Sequence, residues 1–145
     1  MKTRVLIIDG HSVIFAWQWL RQMHSSNATA AREALIRELT SYQDWSGQKV
    51  VLVFDGKGCK TSCEKDGIQV YYSACNKTAD DVIERLVAKY VDDYEITVVT
   101  CDGMESQTVS AMGALCVSAQ QLEDDLVHVS RQLRHYLENR RKKLG

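Results

Sequence analysis

The sequence predicts an α/β fold, a central, mostly parallel sheet with helices on both faces. Three observations carry this. Apolar runs of strand length, Val5-Leu6-Ile7-Ile8 and Val50-Val51-Leu52-Val53-Phe54, are unbroken rather than alternating, as in strands buried on both faces of a parallel sheet. Segments with apolar residues at helical spacing alternate with such runs along the chain. Three strand candidates lead into Asp-Gly, at Asp9-Gly10, Asp55-Gly56 and Asp102-Gly103, and open α/β sheets keep their ligand crevice at the carboxyl ends of the strands.

The elements follow in order. Residues 5–8 form the first strand. Asp9 or Ser12 is positioned to cap a helix carrying Val13, Ile14, Trp17 and Leu20 at helical spacing. Ser25-Ser26-Asn27 is a polar break. Residues 28–45 form a long amphipathic helix with Ala31, Ala34, Leu35, Leu39 and Tyr42 on one face, ended by Gly47. The second strand is 49–54. Residues 57–67, rich in glycine, cysteine and charge, read as a loop. A third strand spans 68–73, and a helix over 79–91 has Val82, Ile83, Leu86, Val87 and Tyr90 as its core stripe. A fourth strand, 95–100, precedes a short helix at 105–112 and an edge strand at 115–117. The last helix, 120–141, carries Leu122, Leu126, Val129, Leu133 and Leu137 on one side and ends in Arg140-Arg141-Lys142-Lys143.

A length of 145 residues with no proline, low-complexity tract, repeat or linker suits a single domain over 1–145. The net charge of −1 means that any nucleic-acid site is a local patch rather than a global field. No apolar stretch approaches the roughly 18 residues of a membrane span, and the N-terminus has no signal-peptide pattern. A cytoplasmic location is expected. The five cysteines are scattered without a CxxC pair, which argues against a disulfide framework or a structural zinc. Cys59, Cys63 and Cys75 read as reduced thiols, with a loop metal site or bond as the alternative, and Cys101 and Cys116 as small core residues.

The chemistry lies in the carboxylates. In a parallel sheet Asp9, Asp55 and Asp102 reach the same edge, and Thr78-Ala79-Asp80-Asp81 begins a helix there. Gathered carboxylates repel unless a cation neutralises them, and hard oxygen donors suit Mg²⁺ or Mn²⁺. Each acid also has a plainer role: Asp-Gly as turn chemistry, Thr78-x-x-Asp81 as a capping box, Asp80 at a helix dipole, and Glu84 on a solvated face. Their joint placement favours the metal reading.

These segments resemble a known family. The stretch Val5-Leu6-Ile7-Ile8-Asp9-Gly10-His11-Ser12, with Ala16-Trp17 after it, looks like the opening of the YacP-like NYN domains of the PIN-like nuclease superfamily. The second strand to Asp55 is similar to that family's second strand. Thr78-Ala79-Asp80-Asp81-Val82-Ile83-Glu84 looks like its acidic helix start, and Val98-Val99-Thr100-Cys101-Asp102 with Glu105 resembles its third acidic motif. Gly113-Ala114 through Ser118-Ala119 and the long charged helix also fit. The resemblance implies a three-layer PIN-like (NYN) fold and a metal-dependent endoribonuclease acting on messenger RNA in association with the ribosome. It implies Asp9, Asp80 and Asp102 as metal ligands, Asp81 as a further catalytic acid, and Ser12, Asp55, Glu84 and Glu105 around them. The family usually carries Asn where this chain has Ser12, after His11, so the first acid is expected to be held differently. That departure leaves a catalytically weak or inactive RNA- or ribosome-binding module of the same fold as the second reading. His11 as a general acid or base is a further option.

Candidate RNA contacts are Lys57, Lys60, Lys65 and Lys77 around the crevice, and Arg140 and Arg141 in the basic tail, where cations also suit a helix C-terminus. Residues 57–67 are the expected substrate or ribosome contact. Trp17, Trp19 and Trp45 can stack on bases or fill the core; with Trp17 inward, Trp19 is the exposed one. A receiver domain would need a paired acid at the first strand end and a lysine after the last strand, and a DNA 5′-nuclease would need a helical DNA-gripping region; neither is found in the sequence.

Overall fold

The computed structural model describes residues 2–56, 62–65, 67–74 and 76–144, with the backbone alone described at 62–65. Six strands form one sheet in the order β3-β4-β2-β1-β5-β6. They are β1 (Thr3–Asp9), β2 (Lys49–Phe54), β3 (Ser62–Lys65), β4 (Ile68–Tyr72), β5 (Tyr94–Val99) and β6 (Leu115–Val117). All pairings are parallel except β3 with β4. The six helices are α1 (Gly10–Ala16), α2 (Gln18–Ser26), α3 (Ala28–Ser46), α4 (Ala79–Tyr90), α5 (Gly103–Ala111) and α6 (Ala119–Leu144). The result is a three-layer α/β fold of the PIN-like kind.

The unbroken apolar runs are explained by the two faces. Successive strand side chains point to opposite sides. Leu6 and Ile8 join Val50, Leu52 and Phe54 in a core under α1, α2, α3 and α6. Val5 and Ile7 join Val51 and Val53 in a second core with Ala79, Ile83 and Val87 of α4 and Val109 of α5. The same parity directs Asp9 and Asp55 towards the α4 face.

Several expectations are corrected. Residues 57–67 are not wholly a loop: 62–65 form an antiparallel edge strand whose short backbone ladder on β4 the composition does not announce. The helix after β1 breaks at Trp17, whose extended backbone (φ −88°, ψ 116°) separates α1 from α2. That break lets the Trp17 indole lie buried and donate from Nε1 to the Ala119 carbonyl at 2.9 Å, tying down the start of α6. Trp19 is 41 % exposed. Cys101 is exposed just past the end of β5, and Cys116 is half-buried because it lies on the edge strand β6, packed against the second core. Leu137 is exposed, since α6 outruns the body it packs on. Gly47 closes α3 in the left-handed region (φ 76°), as its position after the last apolar residue predicts. No helix among the described residues is long and apolar enough to cross a membrane.

Candidate active site at the carboxyl edge of the sheet

Asp9 ends β1 and is buried, and its side chain caps α1. Its Oδ2 accepts a hydrogen bond from Ser12 Oγ at 2.9 Å, and Oδ1 lies 3.5 Å from the Ser12 amide. The Ser12 hydroxyl in turn accepts from the Cys101 amide at 3.2 Å. One serine therefore fastens the first acid to the end of β5, ahead of Asp102. Burial raises the Asp9 carboxyl above the ordinary carboxylate range, while the Ser12 bonds and His11 pull it back and Asp55 adds to the rise.

Asp80, in the first turn of α4, is the hub. Burial, and then the charges of Asp9, Asp102, Glu84 and Asp55, push its carboxyl up to about 6. Asp102 caps α5, accepting from the Met104 and Glu105 amides at 2.9 and 3.3 Å, and its own amide donates to Thr100 Oγ1 at 3.1 Å. Glu105 is the most buried acid of the group at 5 % exposure. Burial, the charges of Asp80 and Glu84, a hydrogen bond with Glu84 and the charge of Asp102 push it up to about 8. Its Oε1 is buried without a hydrogen-bond partner. Sequence reasoning left Glu105 at the margin because nothing in the pattern marks its side chain as buried.

The other expected residues fall into different places. Asp55 Oδ1 accepts from the Ala79 amide at 2.7 Å, so it stitches the end of β2 to the start of α4, and Oδ2 lies 3.9 Å from His11 Nδ1. Asp81 is exposed and engaged in the capping box: its carboxylate accepts from the Thr78 amide at 2.9 Å, and Thr78 Oγ1 accepts from the Asp81 amide at 3.2 Å. Those bonds lower its pKa, with Lys77 and Arg85 as the nearby charges. Asp81 is thus not drawn into the acid group that surrounds Asp80. His11 sits on α1, and burial lowers its pKa against the pull of Asp55 and Asp9.

Lys77 is exposed just before α4, at the acid edge. Lys57, Lys60, Cys59 and Cys75, and the side chains of Lys65 and Cys63, lie outside the described residues, as does most of the loop expected to contact substrate. Arg140 and Arg141 lie far from the acids. The 26 residues of α6 leave the carboxyl edge and extend about 39 Å at 1.5 Å per residue. Tyr136 already meets Trp45, at the far end of α3, with ring centroids 5.8 Å apart.

The three glycines after the acids differ in purpose. None of Gly10, Gly56 and Gly103 has a positive φ. A Cβ on Gly10 would sit 2.2 Å from the Phe54 ring, and one on Gly56 would sit 1.9 Å from the Ser73 carbonyl oxygen. Close approach, not turn conformation, requires glycine at these two positions, while Gly103 faces open space.

Among the described residues no three His, Cys, Asp or Glu converge tightly enough to hold one ion by direct bonds alone. The acids are close enough to raise one another's pKa, and all donors are carboxylate oxygen. This arrangement suits a small hard cation that keeps part of its water shell, and the orphaned Glu105 oxygen is consistent with such a neighbour.

A model of the YacP-like NYN domain family matches residues 6–145. The uncharacterized protein YacP of Bacillus subtilis (strain 168) is 31% identical over 134 residues, covering 89% of this chain and 78% of that protein. The crystal structure of Rae1 (YacP) from Bacillus subtilis superposes with a TM-score of 0.82 at 28% identity, covering 96% of this chain and 82% of that one. A variant of the same protein gives 0.83 over 93% and 81%. The family and the fold support a nuclease-type function related to RNA. With a carboxylate-lined sheet edge and a family match over nearly its whole length, the chain belongs to the YacP-like NYN domain family.

Proposed function

We propose that the protein is a metal-dependent endoribonuclease that cuts RNA phosphodiester bonds, with messenger RNA at the ribosome as its substrate setting. The observation that carries this reading is the gathering of Asp9, Asp102, Glu84 and Asp55 around Asp80 in the first turn of α4, whose carboxyl their charges and its burial push up to about 6. A structural acid has no need of such surroundings; a cation site does. Asp9, Asp80 and Asp102 would hold Mg²⁺ or Mn²⁺, with Glu84 and Glu105 beside them. The ion, when bound, supplies charge neutralisation and water activation for displacement at phosphorus.

The chain's own residues set the geometry. Ser12 fixes the rotamer of Asp9 by its 2.9 Å bond and ties it to the strand that leads to Asp102. The α4 N-terminus, whose Ala79 and Asp81 amides are taken by Asp55 and Thr78, turns its positive dipole end to the acid edge. Asp55 holds that terminus against β2. Glu105, buried beside Asp80, Glu84 and Asp102, adds a further carboxyl to the same group.

The Ser12 bonding favours activity over the binding-module reading, because the hydroxyl performs the orienting task despite lacking an amide. Cleavage of single-stranded RNA, with and without ribosomes, in Mg²⁺ or Mn²⁺ tests the proposal. Asp80→Asn and Asp9→Asn are each expected to lose at least 100-fold in rate while still folding. Cutting at the wild-type rate by both variants, or no cutting by wild type with either metal, would remove the nuclease assignment of this edge.

A further inference from the structure

Beside the acid edge lies a second concavity, of about 610 Å³, lined in part by His11, Phe15, His24, Arg32, Asp55 and Tyr72. That volume is in the range of small-molecule and cofactor sites. Its wall is a run of rings. Phe15 meets His24 edge-on at 4.9 Å and stacks with His11 at 6.3 Å; His11 meets Phe54 at 5.7 Å; Phe54 stacks with Tyr72 at 5.7 Å. Phe54 is fully buried, but Phe15 leaves 47 % of its surface open. Arg32 donates to Thr29 Oγ1 at 3.2 Å and has no carboxylate within salt-bridge distance among the described residues. The one carboxylate among the described lining residues, Asp55, is already engaged by the Ala79 amide and faces His11.

An open aromatic face, a cation without a carboxylate partner among the described residues, and polar ring edges are what an unstacked nucleotide needs: a surface for the base and a charge for the phosphate. The cavity also abuts the acids. Asp55 lines it and acts on the charge of both Asp9 and Asp80, and His11 follows Asp9 by two residues. We propose that this cavity seats the nucleotide flanking the scissile phosphodiester, its base stacked on Phe15 and its phosphate directed to Arg32. The proposal rests on the nuclease reading for the word scissile, but the binding site itself does not.

The test is therefore binding in EDTA, where no cleavage occurs. A short single-stranded RNA is made with 2-aminopurine at each position in turn and titrated into the full chain, with circular dichroism as a check on folding. Wild type is expected to quench the probe at one or two adjacent positions. Phe15→Ala is expected to weaken binding about tenfold and to lose that quenching, whereas Phe15→Trp retains both. Arg32→Ala is expected to lower the slope of log affinity against log salt by about one. Binding within twofold of wild type by Phe15→Ala and Arg32→Ala, with quenching and salt slope unchanged, overturns the proposal, as does a wild type that quenches no position. Either result leaves the nuclease reading to stand or fall on Asp80→Asn. Conversely, position-specific quenching lost in Phe15→Ala supports the seat even if the wild type cuts no RNA.

Discussion

At the scale of single residues, two small side chains decide more than their size suggests. Gly10 is required by contact with the Phe54 ring, so Gly10→Ala overpacks the region between α1 and the end of β2. It is expected to destabilise the chain by about 1–3 kcal/mol in urea unfolding, whereas Gly103→Ala, with nothing within 4 Å, should change stability by less than about 0.5 kcal/mol. Similar losses for both would refute the contact argument. Ser12 bonds both Asp9 and the Cys101 amide. Ser12→Ala is expected to cut RNA cleavage at least tenfold with a smaller change in substrate affinity, because the loss falls on the orientation of an acid rather than on RNA contact. Steady-state kinetics that show a raised KM and an unchanged kcat would contradict that role.

At the scale of elements, α4 is held at its N-terminus by two independent acids. Asp55 reaches across from β2 to the Ala79 amide, and Asp81 closes the local capping box with Thr78. Replacing either by alanine is expected to lower the Tm, more for Asp55, whose bond is part-buried, than for Asp81, whose bond is exposed. The two variants should part company in activity. Asp81→Ala, whose neighbours are Lys77 and Arg85, is expected to cut RNA within about threefold of wild type under conditions where it is folded. Asp55→Ala should lose more, since it frees the helix that carries Asp80. A 100-fold loss in Asp81→Ala would return Asp81 to the catalytic acids. The capping box was legible from Thr78-x-x-Asp81 itself, because both of its bonds are local. The Asp55 bond spans 24 residues, and only the packing of α4 on the sheet creates it.

At the scale of the whole molecule, the acid edge couples stability to pH. Asp9, Asp80 and Glu105 have raised pKa values, Asp80 to about 6 and Glu105 to about 8. Between the ordinary carboxylate range and these values the folded chain keeps protons that the unfolded chain has released. Stability therefore falls as pH rises through that window. His11, lowered from 6.5, acts the other way and offsets part of the fall near its ordinary value, but one imidazole stands against three carboxyls. The Tm of metal-free protein is expected to be lower at pH 8.5 than at pH 5, and millimolar Mg²⁺ should shrink that difference by neutralising the ionised acids. A Tm that rises with pH in EDTA would show that the acids are not mutually repelling.

The sequence by itself determined the α/β alternation, the parallel core strands and the edge at which Asp9, Asp55, Asp80 and Asp102 gather. Those follow from short-range periodicity: unbroken apolar runs for doubly buried strands, and odd-numbered parity that directs Asp9 and Asp55 to the face of Ile7 and Val53. It did not determine which acids lose water. Glu105 is buried only because α5 folds back towards α4 over the sheet edge, and Asp81, adjacent in sequence to Asp80, is exposed because one residue on a helix is a turn of about 100°. Nor could it join His11 and Phe15 to His24, Arg32, Asp55 and Tyr72, since a cavity wall assembled from α1, α2, α3, β4 and the end of β2 exists only once the helices have packed. Local pattern set the elements and their order; burial, which depends on contacts between residues far apart in the chain, set the chemistry of the acids that those elements carry.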